Sequence, residues 1–509
     1  MIKNILEYFE KTIIEKKDKI AVIDGERKIN FAELSQASFS VATAIKVNSN
    51  SSIKNPVAVF LPKSIESIIA DIGIVYSGNA YMNLDVKTPL ERISNILKLV
   101  QPLYIITDSK YFSKLKEIFS ESQILDINDL IKCQYNHVEL LDNLERVIDT
   151  DPLCLINTSG STGTPKSVIL NHKSFIDYTT WAIETIKLQD DEIFGSLAPI
   201  VFDHFSYELT LMMVHSCTMA IIPETYTIFP VKLLQFINEY NITYIFWVPT
   251  IMVNIANMDL LSRIPTPTLR MIWFAGEVFP TKQFNYWKRN LPNAVFVNLY
   301  GPTEITVDCT YYIVNRNIAD DEPIPIGYPC RNTDIIILDE NNNQVLNTNM
   351  EGELCVRGTS LAMGYYNNPE KTAAVFVQNP LNNSYPEIIY RTGDIVYIND
   401  RGEIVYKGRN DTLIKHMGKR IELGEIEHVV VNTLGIVQNG CAIYDYQKKE
   451  IVFFYEAKEE YKVADLRKAI AKELPNYMIP TKYIYVQELP RNTNGKIDRL
   501  KLKESISNV

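Results

Sequence analysis

Short runs of apolar and β-branched residues alternate along the chain with longer stretches whose polar positions fall at helical spacing. "PVAVFLP" (56–62), "YIITD" (104–108) and "ITYIFWVP" (242–249) read as buried strands. "SIESIIADIGIVYSG" (64–78) and "VKLLQFINEYN" (231–241) read as helices between them. Such alternation predicts α/β layers rather than an all-helical or all-β fold. The opening segment, residues 1–19, alternates apolar and charged positions like an amphipathic helix. From about residue 325 the pattern changes to strands and turns, with "DENNN" and "NDRG" as hairpin turns. After Arg409 an α/β mixture returns, which sets a boundary near 408–412 and two domains, 1–408 and 409–509.

Length supports that division. A chain of 509 residues exceeds one ordinary core. The balance of 51 basic and 61 acidic residues gives a net charge of −10, without a long run of either sign. Nucleic acid and anionic membrane surfaces are therefore disfavoured as partners. The N-terminal segment lacks the apolar run of a signal peptide, and the most apolar stretch (209–223) is too short to span a bilayer. A cytoplasmic protein is expected. Seven scattered cysteines without a C-x-x-C pair and six isolated histidines give no zinc or disulfide framework.

Candidate chemistry starts at "LINTSGSTGTPKSVIL" (155–170), which nearly matches a Walker phosphate loop and has proline where the second glycine belongs. Pro165 has no N–H and a fixed φ, so a rigid backbone nest is excluded. Thr158, Ser159, Ser161 and Thr162 remain as hydroxyl donors, Gly160 and Gly163 as turn formers, and Lys166 as a cation. The set suits a clamp on a di- or triphosphate, and equally an ordinary turn between two strands. Four further stretches carry chemistry. "NLYGPTEITV" (298–307) offers Tyr300 as an aromatic face, Gly301 and Thr303 in a turn, and Glu304 as a magnesium-binding carboxylate. "YRTGDIVY" (390–397) offers Asp394, read at a strand start, as an acceptor for ribose hydroxyls. "GRNDTLIKHMGKRIELGEIE" (408–427) reads as a basic hairpin leading into a helix, and "NTNGKIDR" (492–499) places Lys496 in a tight turn. Each alone also fits a solvated turn or tail.

In this order, the stretches resemble the adenylate-forming superfamily, and more narrowly the amino-acid adenylation domains of nonribosomal peptide synthesis. D-alanine–carrier-protein ligases are close kin. The likeness runs from "INFAEL" (29–34) to Lys496 and includes "SGNAYMNLDVKTPLERI" (77–93) and "GELCVRGTSLAMGYYNNPEKT" (352–372). In that family, proline before the loop lysine is normal. Ser167, Leu413 and Met417 depart from it, standing where glycine, glutamine and arginine are usual.

The resemblance implies a large N-terminal domain of layered α/β subdomains with a small distorted β-barrel. It also implies a small mobile C-terminal α+β domain hinged near Asp411. It implies ATP and Mg²⁺, an acyl-adenylate intermediate, and transfer to the phosphopantetheine thiol of a carrier protein. Thr158, Ser159, Thr162 and Lys166 would hold the β,γ-phosphates, Glu304 the metal, Tyr300 the adenine, and Asp394 with Arg409 the ribose. Lys496 would bridge the substrate carboxylate and α-phosphate.

Aligned on these motifs, the substrate pocket is Asp203, His204, Tyr207, Phe246, Trp273, Ala275, Leu299, Val307 and Asp308. Asp203 would pair with an α-ammonium, which argues against an acyl-CoA or aryl-CoA synthetase. Retention of the charged residues argues against a nucleotide-binding pseudoenzyme, and Pro165 against a Walker-type NTPase. Four rings in the wall predict a small substrate side chain. Asp308 would accept from a substrate hydroxyl, or else bond His204 or water in a pocket for alanine or glycine. The pattern of Tyr207, Leu299, Val307 and Asp308 resembles family pockets that take serine, from which Phe246 and Trp273 depart, and places serine ahead of alanine or glycine. Neither a condensation "HHxxxDG" nor a carrier "GGxS" signature occurs. A free-standing enzyme using a carrier in trans is expected, ahead of a module excised from a larger synthetase.

Overall fold

The computed structural model describes residues 2–159, 165–409, 413–491 and 497–507. It divides into two compact units. The first comprises Met1–Val86, Val100–Ile156 and Val168–Asn410; the second comprises Lys87–Leu99, Asn157–Ser167 and Asp411–Val509.

The first unit is built on three sheets. The largest has nine strands, and its centre is parallel: Val295–Tyr300, Met271–Phe274, Tyr244–Trp247, Ile193–Ser196, Thr218–Ile221 and Ile20–Asp24. Central runs such as "YIFW" and "MIWF" are buried at every position, as strands covered on both faces must be. Antiparallel strands complete both edges, with Arg27–Asn30 on one side and Thr310–Ile313 then Tyr328–Pro329 on the other. A seven-stranded sheet carries Ala80–Asn83, Pro56–Val59, Ile105–Thr107 and Ile124–Asp126 in parallel. Its strands Pro152–Thr158 and Lys166–Asn171 flank the serine- and threonine-rich loop.

Helices start where capping chemistry allows. Asn30 and Ser64 each make a capping box ahead of Phe31–Asn48 and Ile65–Tyr76. The opening amphipathic pattern forms Ile5–Lys16, which buries Ile5, Leu6 and Phe9. Residues 333–409, where a small barrel is expected, form a five-stranded antiparallel sheet. Its long strand Ile388–Ile398 pairs with Glu351–Gly358, Phe376–Gln378 and Ile404–Arg409. Asp394 lies inside that strand rather than at its start. Gly393, at φ +71°, bends the chain there and shifts the register towards Glu351–Gly358. Arg409, placed by the sequence reading in the second domain, closes the strand Ile404–Arg409 within the first unit.

In the second unit, hairpin Leu413–His416/Lys419–Glu422 runs into helix Leu423–His428, as the basic hairpin pattern predicts. Met417 makes the turn in the left-handed region at φ +52°. A three-stranded sheet of Asn439–Asp445, Glu450–Glu456 and Lys482–Val486 packs with helices Val463–Ile470 and Arg499–Ser507. Within this unit Arg92 pairs with Glu425, whose side chain is fully buried. Among the described residues, no helix is long and apolar enough to cross a membrane.

Candidate functional site

Parallel strands end together, and the crevice beyond their carboxyl ends is the natural place for a ligand. Register pairs Phe246 with Trp273 and Trp273 with Val297. Side chains alternate along a strand, so Phe246, Trp273 and Leu299 share one face near the carboxyl ends. Helix Asp203–His215 packs its first turns against this face. His204 lies 3.7 Å from Phe246 between ring centroids, and Tyr207 stacks on Trp273 at 5.9 Å and 12°. Tyr244, which sequence reasoning missed, places its hydroxyl 3.3 Å from that of Tyr207. The four predicted rings are thus brought together, and Tyr207 and Trp273 are wholly buried. Ala275 follows Trp273 on the same strand line and packs against the core.

Asp203 heads this helix. Its carboxylate accepts from the N–H of His204 at 2.9 Å and of Val307 at 3.4 Å. It keeps some open surface but lies so deep that lost hydration dominates its chemistry. Burial pushes its pKa up to about 6, against the hydrogen bond from the Thr303 side chain. Burial pulls the His204 imidazole down to about 3, helped by the nearby Lys63 ammonium.

Asp308 is almost wholly buried, and it has a partner that the sequence did not reveal. The Tyr178 hydroxyl donates to its Oδ2 at 2.7 Å. A substrate hydroxyl at Asp308, as the sequence reading has it, would share the carboxylate with this phenol. Tyr178 lies on helix His172–Ile186, and nothing in local spacing marks it.

Beside the pocket the chain turns tightly. A Cβ at Gly301 would stand 2.4 Å from the Val307 carbonyl and 2.5 Å from the Asp308 Cα. Only glycine admits that approach. Thr306 and Val307 both hold positive φ, 57° and 66°, which is costly for β-branched residues and typical of strained functional turns.

In the same turn Glu304 is fully buried and accepts from the Tyr365 hydroxyl at 2.7 Å. Among the described residues, no three His, Cys, Asp or Glu side chains are grouped to cage a metal. A single carboxylate beside phosphate oxygens is how Mg²⁺ is commonly held, so Glu304 fits that ion.

Tyr300, Asp394 and Arg409 converge. The Tyr300 hydroxyl donates to Asp394 Oδ2 at 2.5 Å, and Arg409 Nη1 donates to Oδ1 at 2.8 Å. Burial and the adjacent carboxylate push the Tyr300 phenol well up, so it remains a donor.

In the second unit, Ser159 Oγ donates to the Arg420 carbonyl at 3.1 Å and accepts from the Glu422 N–H at 3.2 Å. Lys166 Nζ lies 3.9 Å from Glu422 Oε1, and Thr158 Oγ1 lies 3.5 Å from the Lys166 carbonyl. Ser167 is buried and ties to Asn157 at 2.6 Å. Leu413 is buried in its hairpin, while Met417 is exposed. Gly160, Ser161, Thr162 and Gly163 lie outside the described residues, as do Asp411 and Lys496.

Residues 9–366 match the AMP-binding enzyme family. The chain belongs to that family. Among its relatives is zwittermicin A synthase ZmaJ of Bacillus cereus, 29% identical over 505 residues, which cover 97% of this chain and 94% of that one. Gramicidin S synthase 1 of Brevibacillus brevis is 30% identical over 99% of this chain, which spans 44% of that relative. The fold is also that of the Vibrio cholerae adenylation domain AlmE in complex with glycyl-adenosine-5'-phosphate. That structure has a TM-score of 0.86 at 19% identity, covering 100% of this chain and 98% of the other. This AMP-binding enzyme is a ligase of the acid–thiol type, kin to the adenylation domains of nonribosomal peptide synthesis.

Proposed function

We propose that this enzyme activates a small α-amino acid with ATP and hands the aminoacyl group to the phosphopantetheine thiol of a carrier protein in trans. The observation that carries the reading is Asp203. A desolvated carboxylate at the mouth of an aromatic pocket is unfavourable alone and is relieved by a ligand ammonium. Tyr207, Phe246, Trp273, Leu299 and Val307 leave little room, which supports a small side chain. The similar Vibrio cholerae protein's glycyl-adenosine-5'-phosphate supports the same size class. Serine is the residue pattern's first choice. Because Tyr178 already donates to Asp308, a serine hydroxyl would share that carboxylate, which brings alanine and glycine level with it.

Tyr300, Asp394 and Arg409 form the nucleoside end of the site, with the Asp394 carboxylate held by two donors and its remaining lone pairs set for ribose hydroxyls. Ser159, Thr158 and Lys166 bind phosphate, and Glu304 holds Mg²⁺, which supplies charge neutralisation on the phosphate oxygens. Lys496 bridges substrate carboxylate and α-phosphate during adenylation. The C-terminal domain is a lid turning about Asp411. ATP–pyrophosphate exchange across the amino acids and the matching hydroxy and unsubstituted acids tests the reading. Exchange with a small amino acid and not with its des-amino analogue is expected, and equal exchange with propionate and alanine refutes it.

A further inference from the structure

Behind the aromatic wall lies a group of ionisable side chains with no role so far. Lys63 stands just ahead of helix Ile65–Tyr76, and its Nζ donates to the carbonyls of Ser196 and Ala198, both at 2.8 Å. Ser196 Oγ lies 3.2 Å from the same Nζ and donates to Glu208 Oε2. Glu208 is almost wholly buried and sits one turn beyond His204 on helix Asp203–His215. Its Oε1 is 3.9 Å from His204 Nε2, too far for a hydrogen bond, and that nitrogen has no partner among the described residues. Two more acids act on this group: Glu224 on Lys63, and Glu304 on Asp203.

A buried carboxylate needs a cation close by, or it takes up a proton. Lys63 is that cation, delivered through Ser196. Burial pulls the Lys63 ammonium down and pushes the Glu208 carboxyl up, and each charge opposes the other's shift. His204 is the next base within reach of Glu208. Were Lys63 absent, an imidazolium at His204 would become the natural partner, directly beside Asp203.

We propose that Lys63 is a positioning residue for amino-group recognition: acting through Ser196 and Glu208, it keeps the His204 imidazole uncharged and packed on Phe246. Asp203 then meets the substrate ammonium without a competing cation at its side. The inference rests on the amino-acid reading above, so its test includes a measurement that needs no substrate.

Histidine labelled at Cε1 gives the His204 signal, assigned by its loss in His204→Gln. In the wild type that signal is expected to stay constant between about pH 6 and pH 8, and in Lys63→Met to titrate within that range. Lys63→Arg should restore the constant signal. In pyrophosphate exchange, Lys63→Met should raise the KM for the activated amino acid about tenfold per pH unit below the His204 midpoint. The KM for ATP should follow the wild type, and Lys63→Met/His204→Gln should lose the added pH dependence. Lys63→Gln serves as a second neutral variant if Lys63→Met does not fold. A His204 signal that titrates in the wild type, or stays constant in both neutral variants, overturns the proposal. So does a KM raised equally at every pH. Wild-type exchange with acids lacking an amino group would refute the amino-acid reading, and with it the link to ammonium recognition, whatever the titration shows.

Discussion

Asp203→Asn should stabilise the ligand-free protein and disable it at once. Asparagine keeps the size of the side chain and one oxygen, which can accept from the His204 N–H at Oδ1, while its amide nitrogen takes the place of the Oδ2 that accepts from the Val307 N–H at 3.4 Å. It removes the buried charge and, with it, the longer of the two backbone hydrogen bonds. A carboxyl raised from 3.8 to about 6 destabilises the folded state at neutral pH. Two pKa units correspond to roughly 3 kcal/mol, an upper figure for a side chain with some open surface.

The sign comes from linkage. The folded pKa lies above the unfolded one, so the penalty is complete above about pH 6 and vanishes below about pH 4. Thermal melts without ligand should show Asp203→Asn up to about 3 °C more stable at pH 8 and no more stable than wild type at pH 4, at about 1 °C per kcal/mol for a unit of roughly 400 residues. Amino-acid-dependent pyrophosphate exchange should fall by two or more orders of magnitude, since an unpaired buried charge costs about 3–5 kcal/mol. A difference in melting temperature from wild type that does not grow in favour of the variant between pH 4 and pH 8 would refute the claim that Asp203 is held ionised against its surroundings. Stabilisation with undiminished exchange would leave the burial argument standing and remove Asp203 from substrate recognition.

Lys496→Ala should abolish pyrophosphate exchange while transfer from supplied aminoacyl-adenylate to a carrier survives; equal loss of both half-reactions would count against a role confined to adenylation. Tyr178→Phe removes one donor to Asp308, at a cost of about 1–3 kcal/mol in a melt. It should also shift the serine-to-alanine exchange ratio, and an unchanged ratio would show that Asp308 does not face the substrate. Gly301→Ala must displace the Val307–Asp308 backbone, so exchange should drop at least tenfold with the far-ultraviolet dichroism preserved. Arg92→Met removes a cation from the buried Glu425 carboxylate and should lower unfolding stability by up to about 3 kcal/mol, with Arg92→Met/Glu425→Met recovering most of the loss.

Much of the site was legible because its residues lie on or just beyond strands. Strands announce themselves as short buried runs, and the residues at their carboxyl ends converge whatever the loops do. Phe246, Trp273 and Leu299 could be placed on one wall from pattern and motif alone, and register then set them side by side. Glycine at 301 was legible only as a turn, and the backbone of Val307 and Asp308 that comes close to it is a tertiary fact. Helix starts are local too, since a cap is a hydrogen bond between near neighbours in sequence.

The alternation of elements, their ends, and the chemical types available at the carboxyl edge of the large sheet were thus written locally in the chain. Tertiary structure chose who meets whom. Tyr178 reaches Asp308 across 130 residues, Tyr365 reaches Glu304 across 61, and Lys63 joins Glu208 through Ser196. Asp394 was read as a strand start, because its bulge depends on a register shift between strands distant in sequence. The cause is the range of the forces. Periodicity and capping act within a turn or two of the chain. The partner of a buried charge is chosen by how layers pack, and that choice settled whether Asp308 was free, how far burial raised Asp203, and which cation answers Glu208.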